Sequence, residues 1–66
     1  MLVITRRIGE GLAIFPDSSL DSTMTVRELF QRGPIDIRVL DAMGNQVRIG
    51  IDAPMAVRIL RDELVP

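Results

Sequence analysis

The sequence has no cysteine, histidine, lysine, tryptophan or tyrosine. Without cysteine there are no disulfides and no thiolate zinc sites. Without histidine the commonest metal ligand is missing. Carboxylates remain, and they hold hard cations in clustered loops. No such cluster occurs in the sequence, so no metal or cofactor is expected. The same gaps remove most nucleophiles and general bases. Ser18, Ser19 and Ser22 have no histidine to activate them, and the carboxylate pair Asp62-Glu63 has no sign of a cleft around it. Glycines at 9, 11, 33, 44 and 50 do not form a phosphate loop followed by a capped helix. The expectation is a protein that is not an enzyme and takes no small-molecule substrate. Two phenylalanines are the whole aromatic content, which leaves no platform for stacking bases. A nucleic-acid ligand would have to be held by arginines and backbone groups.

Long hydrophobic runs are also absent. The longest are four residues each, Met1 to Ile4 and Leu12 to Phe15, whereas a membrane-spanning helix needs ~20. Met1 leads into Leu2-Val3-Ile4 and then Arg6-Arg7, the wrong order for a signal peptide. A cytoplasmic location with no membrane partner is expected. Sixty-six residues make one domain, 1–66. A chain this short buries about 60% of its unfolded surface, so its core is marginal. Disulfides and metals are excluded, which leaves a partner chain as the staple. With 47% hydrophobic residues and positive mean hydropathy, an obligate homodimer with an apolar interface is expected.

The charge is nearly balanced, 8 basic against 9 acidic residues, net −1. That opposes a generic polyanion binder, because phosphate affinity scales with neutralised charge. All eight basic residues are arginine. Arginine's planar fork reads phosphates and base edges bidentately, although replacement of Lys by Arg in a high-GC genome would give the same composition.

The chain is organised around Gly44 to Pro54, a turn, a strand and a proline stop. Val47, Ile49 and Ile51 alternate with Gln46, Arg48 and Gly50, the period of a half-buried strand. Before it, Met1 to Arg7 reads as a strand, Ile8 to Gly11 as a turn, Leu12 to Phe15 as a second strand and Pro16 to Ser19 as a loop. Thr25 and Glu28 have capping-box spacing, flanked by Met24 and Leu29 as a staple; Asp21 or Ser22 are alternative starts. Val26, Leu29 and Phe30 form one apolar face, and Gly33-Pro34 ends the helix. At two to three turns it needs to pack, so Leu29 and Phe30 are expected as core anchors. Ile35 to Asp41 alternates and returns as a hairpin. Facing Val39 towards Ile49 requires an odd loop, Met43-Gly44-Asn45, which also sets Leu40 opposite Arg48. Met55 to about Asp62 is the last strand, with Val57 and Ile59 inward. Arg6 and Arg61 fall on apolar parity in the two terminal strands. Such a residue is an edge charge or the rim of a ligand site, and parity alone favours the edge charge.

Met1-Leu2-Val3-Ile4-Thr5-Arg6-Arg7-Ile8-Gly9-Glu10, Gly44 to Pro54, and Val57 to Leu64 with Arg61-Asp62-Glu63 resemble, in order, the signatures of the carbon storage regulator (CsrA/RsmA) family. The resemblance covers roughly half the chain. It implies a mainly β fold with one short internal α-helix and about five strands per chain. It also implies an intertwined homodimer whose first and last strands pair with the other protomer's. Such proteins are post-transcriptional regulators. They bind GGA-containing loops in mRNA leaders, repress translation, and are sequestered by small decoy RNAs. Carried over by position, the RNA surface is Ile4, Thr5, Arg6 and Arg7 of one chain with Ile59, Leu60 and Arg61 of the other, and Arg61 is the critical contact. Symmetry gives two equivalent sites. The parity anomaly at Arg6 and Arg61 then fits the ligand rim better than edge protection. Usual members carry a helix after the last strand. Here the sequence ends at Pro66 and a helical insertion at about 16–33 resembles an atypical branch. Leu60 stands where many members have histidine. Two other classes remain: a swapped-hairpin DNA-binding or antitoxin-like dimer, which should carry a denser basic surface, and a purely structural β-dimer, which net −1 favours.

Overall fold

The structure is a computed structural model that describes residues 1–65. Strand β1, Leu2–Arg7, runs antiparallel to β4, Gln46–Asp52, and β3, Asp36–Met43, lies on β4's other side. β4 is therefore the centre of a three-stranded sheet. Its apolar residues are in register with both neighbours: Ile49 faces Ile4 and Val39, and Ile51 faces Leu2 and Ile37. Strand β2, Leu12–Pro16, pairs with β5, Val57–Arg61, as a separate two-stranded sheet, with Ile14 opposite Ile59. A short 3-10 turn, Asp62–Leu64, follows β5. Mainly β architecture with one short helix is as expected from the sequence. The last strand is shorter than expected, beginning at Val57 rather than Met55.

The β3–β4 hairpin differs from its expected form. Met43 pairs with Gln46, so the loop is the two residues Gly44-Asn45. Gly44 has φ +60°, and among the described residues no non-glycine residue has positive φ. Glycine at the first central position with a negative φ after it is a type II′ arrangement, whose twist suits the flanking strands. Val39 still faces Ile49, as parity demanded, because the register shifts between Val39 and Asp41. Leu40 is the extra residue of a bulge and Asp41, not Leu40, sits opposite Arg48. Turn chemistry thus set the loop length and the bulge absorbed the parity. Leu40 also has a place to go: it lies over Gly50, where an added Cβ would come within 3.0 Å of its Cδ1 and 2.7 Å of Met1 Sδ.

Helix α1 is only Val26–Leu29. Thr25 caps it as expected, its hydroxyl accepting from Glu28 N at 3.1 Å and donating to Glu28 Oε1 at 3.0 Å. It starts no earlier because the preceding backbone is captured by side chains. Asp17 accepts from Ser19 N at 3.0 Å, and Asp21 accepts from Thr23 N at 2.9 Å and its hydroxyl at 2.8 Å. Local bonds of this kind compete with helix. Leu29 and Phe30 do not anchor a core. Phe30 is exposed, and half-buried Leu29 borders an open groove of about 490 Å³ between this segment and the Pro54 loop. One turn of helix reaches only the margin of the sheet.

The core is small. Ile4 and Ile51 are the buried apolar side chains, Ile51 at 1% exposure. Leu2 and Ile51 of one sheet line a cleft of about 250 Å³ with Val57 and Ile59 of the other. Towards β3 the same apolar face lies open, with Ile37 55% and Val39 69% exposed. The molecule is thin, 43 × 26 × 14 Å.

Candidate nucleic-acid interface

Four strand edges are open in the two sheets: β1 and β3 in the larger, β2 and β5 in the smaller. The residues expected to meet RNA all lie on β1 and β5. On β1, Thr5 and Arg7 are exposed on the polar face, opposite Arg48 and Gln46. Thr5 borders a shallow recess of about 150 Å³ with Asp41, Met43, Gln46 and Arg48. Ile4 points the other way and is buried. On β5, Ile59 and Leu60 are half-buried and Arg61 is exposed, opposite Leu12. Among the described residues Arg7 and Arg61 make no ion pair, whereas Arg38 is held by Asp36 at 3.2 Å and Arg58 lies 3.8 Å from Asp17.

Arg6 is not on that surface. The residue is 6% exposed and its guanidinium is enclosed by acceptors. Nη1 and Nη2 donate to the two carboxylate oxygens of Glu63 at 2.9 and 3.0 Å. Nη1 also reaches Gly11 O at 3.0 Å and Asp62 Oδ1 at 3.3 Å, and Nε donates to Thr5 O at 3.2 Å. Glu10 adds a third carboxylate at 3.7 Å. The reason is positional. Arg6 shares the inward parity of Ile4, and the sheet interior at that end offers carboxylates rather than apolar surface. The hydrogen bonds from Arg6, with smaller help from backbone and Asp62, hold the Glu63 carboxyl down to about 2. The Arg6 guanidinium is held above its ordinary value by the same bonds. Asp62 completes the corner by accepting from Gly11 N at 3.0 Å while its own N–H donates to Gly11 O at 3.2 Å.

This clamp joins the end of β1, the β1–β2 turn and the end of β5 within one chain. Both strand pairings, β1 with β4 and β2 with β5, likewise form within the chain. Sequence reasoning missed Glu10, Gly11, Asp62 and Glu63 as partners of Arg6. The available signal was the inward parity of Arg6 together with an acidic pair directly after the last strand.

Over residues 1–66 the sequence matches the family model described as the CsrA global regulator protein family. The chain belongs to the CsrA family. It is 44% identical over 64 residues to a translational regulator CsrA of Thermotoga petrophila, covering 97% of this chain and 57% of that protein. Proteins of the same name from Desulforapulum autotrophicum and Leifsonia xyli are 38% and 41% identical over 64 residues, covering 97% of this chain and 58% and 55% of theirs. The chain therefore spans less than two thirds of the length of these CsrA relatives. Among the described residues no helix is long and apolar enough to cross a membrane.

Proposed function

We propose that this chain is an RNA-binding post-transcriptional regulator that acts as a homodimer in the cytoplasm. It binds GGA-containing loops in mRNA leaders, occludes them from translation, and is itself sequestered by small RNAs carrying such loops. Its ligand surface is the pair of free edges at Thr5 to Arg7 and Ile59–Arg61, with the Ile4 and Arg6 side chains turned inward beneath it. The observation that carries this reading is their chemistry. Each edge carries an exposed arginine without an ion pair among the described residues, Arg7 and Arg61 respectively. The outer edge of β5 is unpaired beside Arg61, while beside Arg7 the backbone is partly engaged, Arg7 N and O with Glu10 and Thr5 O with Arg6 Nε. Backbone groups can hydrogen-bond guanine edges in a single-stranded loop, and arginine can hold the flanking phosphates. Ligand recognition of this kind needs no stacking aromatic. The relatives' shared name, translational regulator, supports the same reading.

The dimer follows from what remains. If β1 and β5 face RNA, the open edges of β3 and β2 are left, next to the uncovered Ile37 and Val39. Joining β3 of one protomer to β2 of the other would close both edges and cover the apolar face. The DNA-binding alternative lacks the basic density that duplex phosphates require, since Arg6, Arg38 and Arg58 all sit beside carboxylates.

The test is a titration with three ligands: a hairpin RNA displaying GGA in its loop, the same hairpin with GGA scrambled, and a DNA of matched sequence. Preference for the first is expected. Equal binding to all three would refute the RNA-regulator reading.

A further inference from the structure

We propose that Arg6 is a positioning residue for Arg61, acting through Asp62 and Glu63 rather than by touching RNA. This builds on the RNA-binding reading above. The guanidinium is already occupied: every one of its nitrogens donates to an oxygen of Thr5, Gly11, Asp62 or Glu63. It is one cation among three carboxylates, those of Glu10, Asp62 and Glu63. A phosphate arriving there would have to displace Glu63 and remain beside net negative charge. Direct contact with a polyanion is therefore disfavoured at this position.

The clamp does two things for its neighbour. Arg61 immediately precedes the 3-10 turn Asp62–Leu64, and its side chain makes no capping bond to that turn. Fixing Asp62 and Glu63 fixes the backbone on which the Arg61 side chain is mounted, and it also fixes the free edge of β5 beside it. The clamp further draws both carboxylates towards Arg6 and Gly11 N. Released, they would be flexible anions next to the ligand surface, able to pair with Arg61 or repel a phosphate. Glu63 thereby favours RNA binding although it carries the ligand's own sign of charge.

The experiment measures affinity of the 66-residue chain for the GGA-loop hairpin, with salt dependence, in Arg6→Gln, Glu63→Gln, Arg61→Ala and the Arg6→Gln/Arg61→Ala double variant. Glu63→Gln is expected to weaken binding several-fold although it makes the protein less negative; a purely electrostatic role would tighten it. Arg6→Gln is expected to weaken binding by about tenfold without changing the slope of log affinity against log salt. Loss of a direct phosphate contact would instead lower that slope by about one. Arg61→Ala should cost much less in the Arg6→Gln background than in the wild type, whereas a merely structural role for Arg6 gives additive losses. Unchanged or tighter binding by Glu63→Gln, a reduced slope in Arg6→Gln, or additivity would each overturn the proposal. Should Arg6→Gln fail to fold, Glu63→Gln alone decides. A wild type that binds GGA and scrambled hairpins alike overturns the underlying RNA reading. A wild type that discriminates, with Glu63→Gln unchanged, overturns the positioning role alone.

Discussion

The guanidinium of Arg6 and the carboxylate of Glu63, at opposite ends of the chain, meet through two parallel hydrogen bonds of 2.9 and 3.0 Å. The pair fixes the corner where β1 and β5 come together, and it has a consequence for acid stability. Glu63 is held down to about 2 against an ordinary 4.5. A carboxylate depressed in the folded state contributes stability that is complete above its unfolded value and is lost as pH falls through its folded one. The wild type should therefore lose stability between about pH 4.5 and pH 2. Glu63→Gln should flatten that part of the curve. Urea unfolding at a series of acid pH values measures it, and parallel curves for the two proteins would contradict it.

Arg61 is an exposed cation at a free strand edge. Arg61→Ala is expected to cost ~1.5–3 kcal/mol of affinity for a GGA hairpin, the scale of a hydrogen bond to a charged group. It should also reduce the salt slope by about one phosphate equivalent. Filter binding at several salt concentrations checks both. Unchanged affinity in a folded Arg61→Ala dimer would remove Arg61 from the ligand surface.

Val39 is more than two-thirds exposed on the face it shares with Ile37, Ile49 and Ile51. Val39→Glu should abolish the dimer by placing a charge where a second copy would seat. Sedimentation equilibrium is the measurement. A fully dimeric, folded Val39→Glu protein would show that β3 is not at the interface.

Gly50 lies under Leu40 and Met1. Gly50→Ala should destabilise by about 1 kcal/mol through overpacking. The loss should shrink in a Leu40→Ala background, since the bulged leucine is one of the two side chains that would have to yield. Thermal unfolding of the four proteins in the cycle gives the coupling, and strict additivity would contradict it.

Much of this architecture is legible in the residues. The alternation through Gln46 to Asp52 identifies the central strand because a strand flanked on both sides must present one apolar face to the core. Thr25 and Glu28 identify the cap because that contact is local. The hairpin was misread at Leu40 because parity counts residues evenly, while a bulge inserts one at no cost to the turn. The helix was overestimated at its end: after Leu29 the backbone tightens into three-residue turns, with Gln31 N–H on Glu28 O and Gly33 N–H on Phe30 O, which apolar spacing does not register. Asp17 and Asp21 exclude only the alternative earlier starts. Arg6 was the hardest case. Its inward parity was visible, but Asp62 and Glu63 lie more than fifty residues away, and only the fold brings them into contact.

The most direct measurement is the mapping of amide chemical shifts as a GGA-loop hairpin is titrated into the dimer. Perturbations should concentrate at Thr5 to Arg7 and at Ile59 to Arg61, the free edges of β1 and β5, and leave the edges of β3 and β2 unmoved. Shifts centred instead on β3, on β2 or on the segment around α1 would contradict the assignment of the ligand surface.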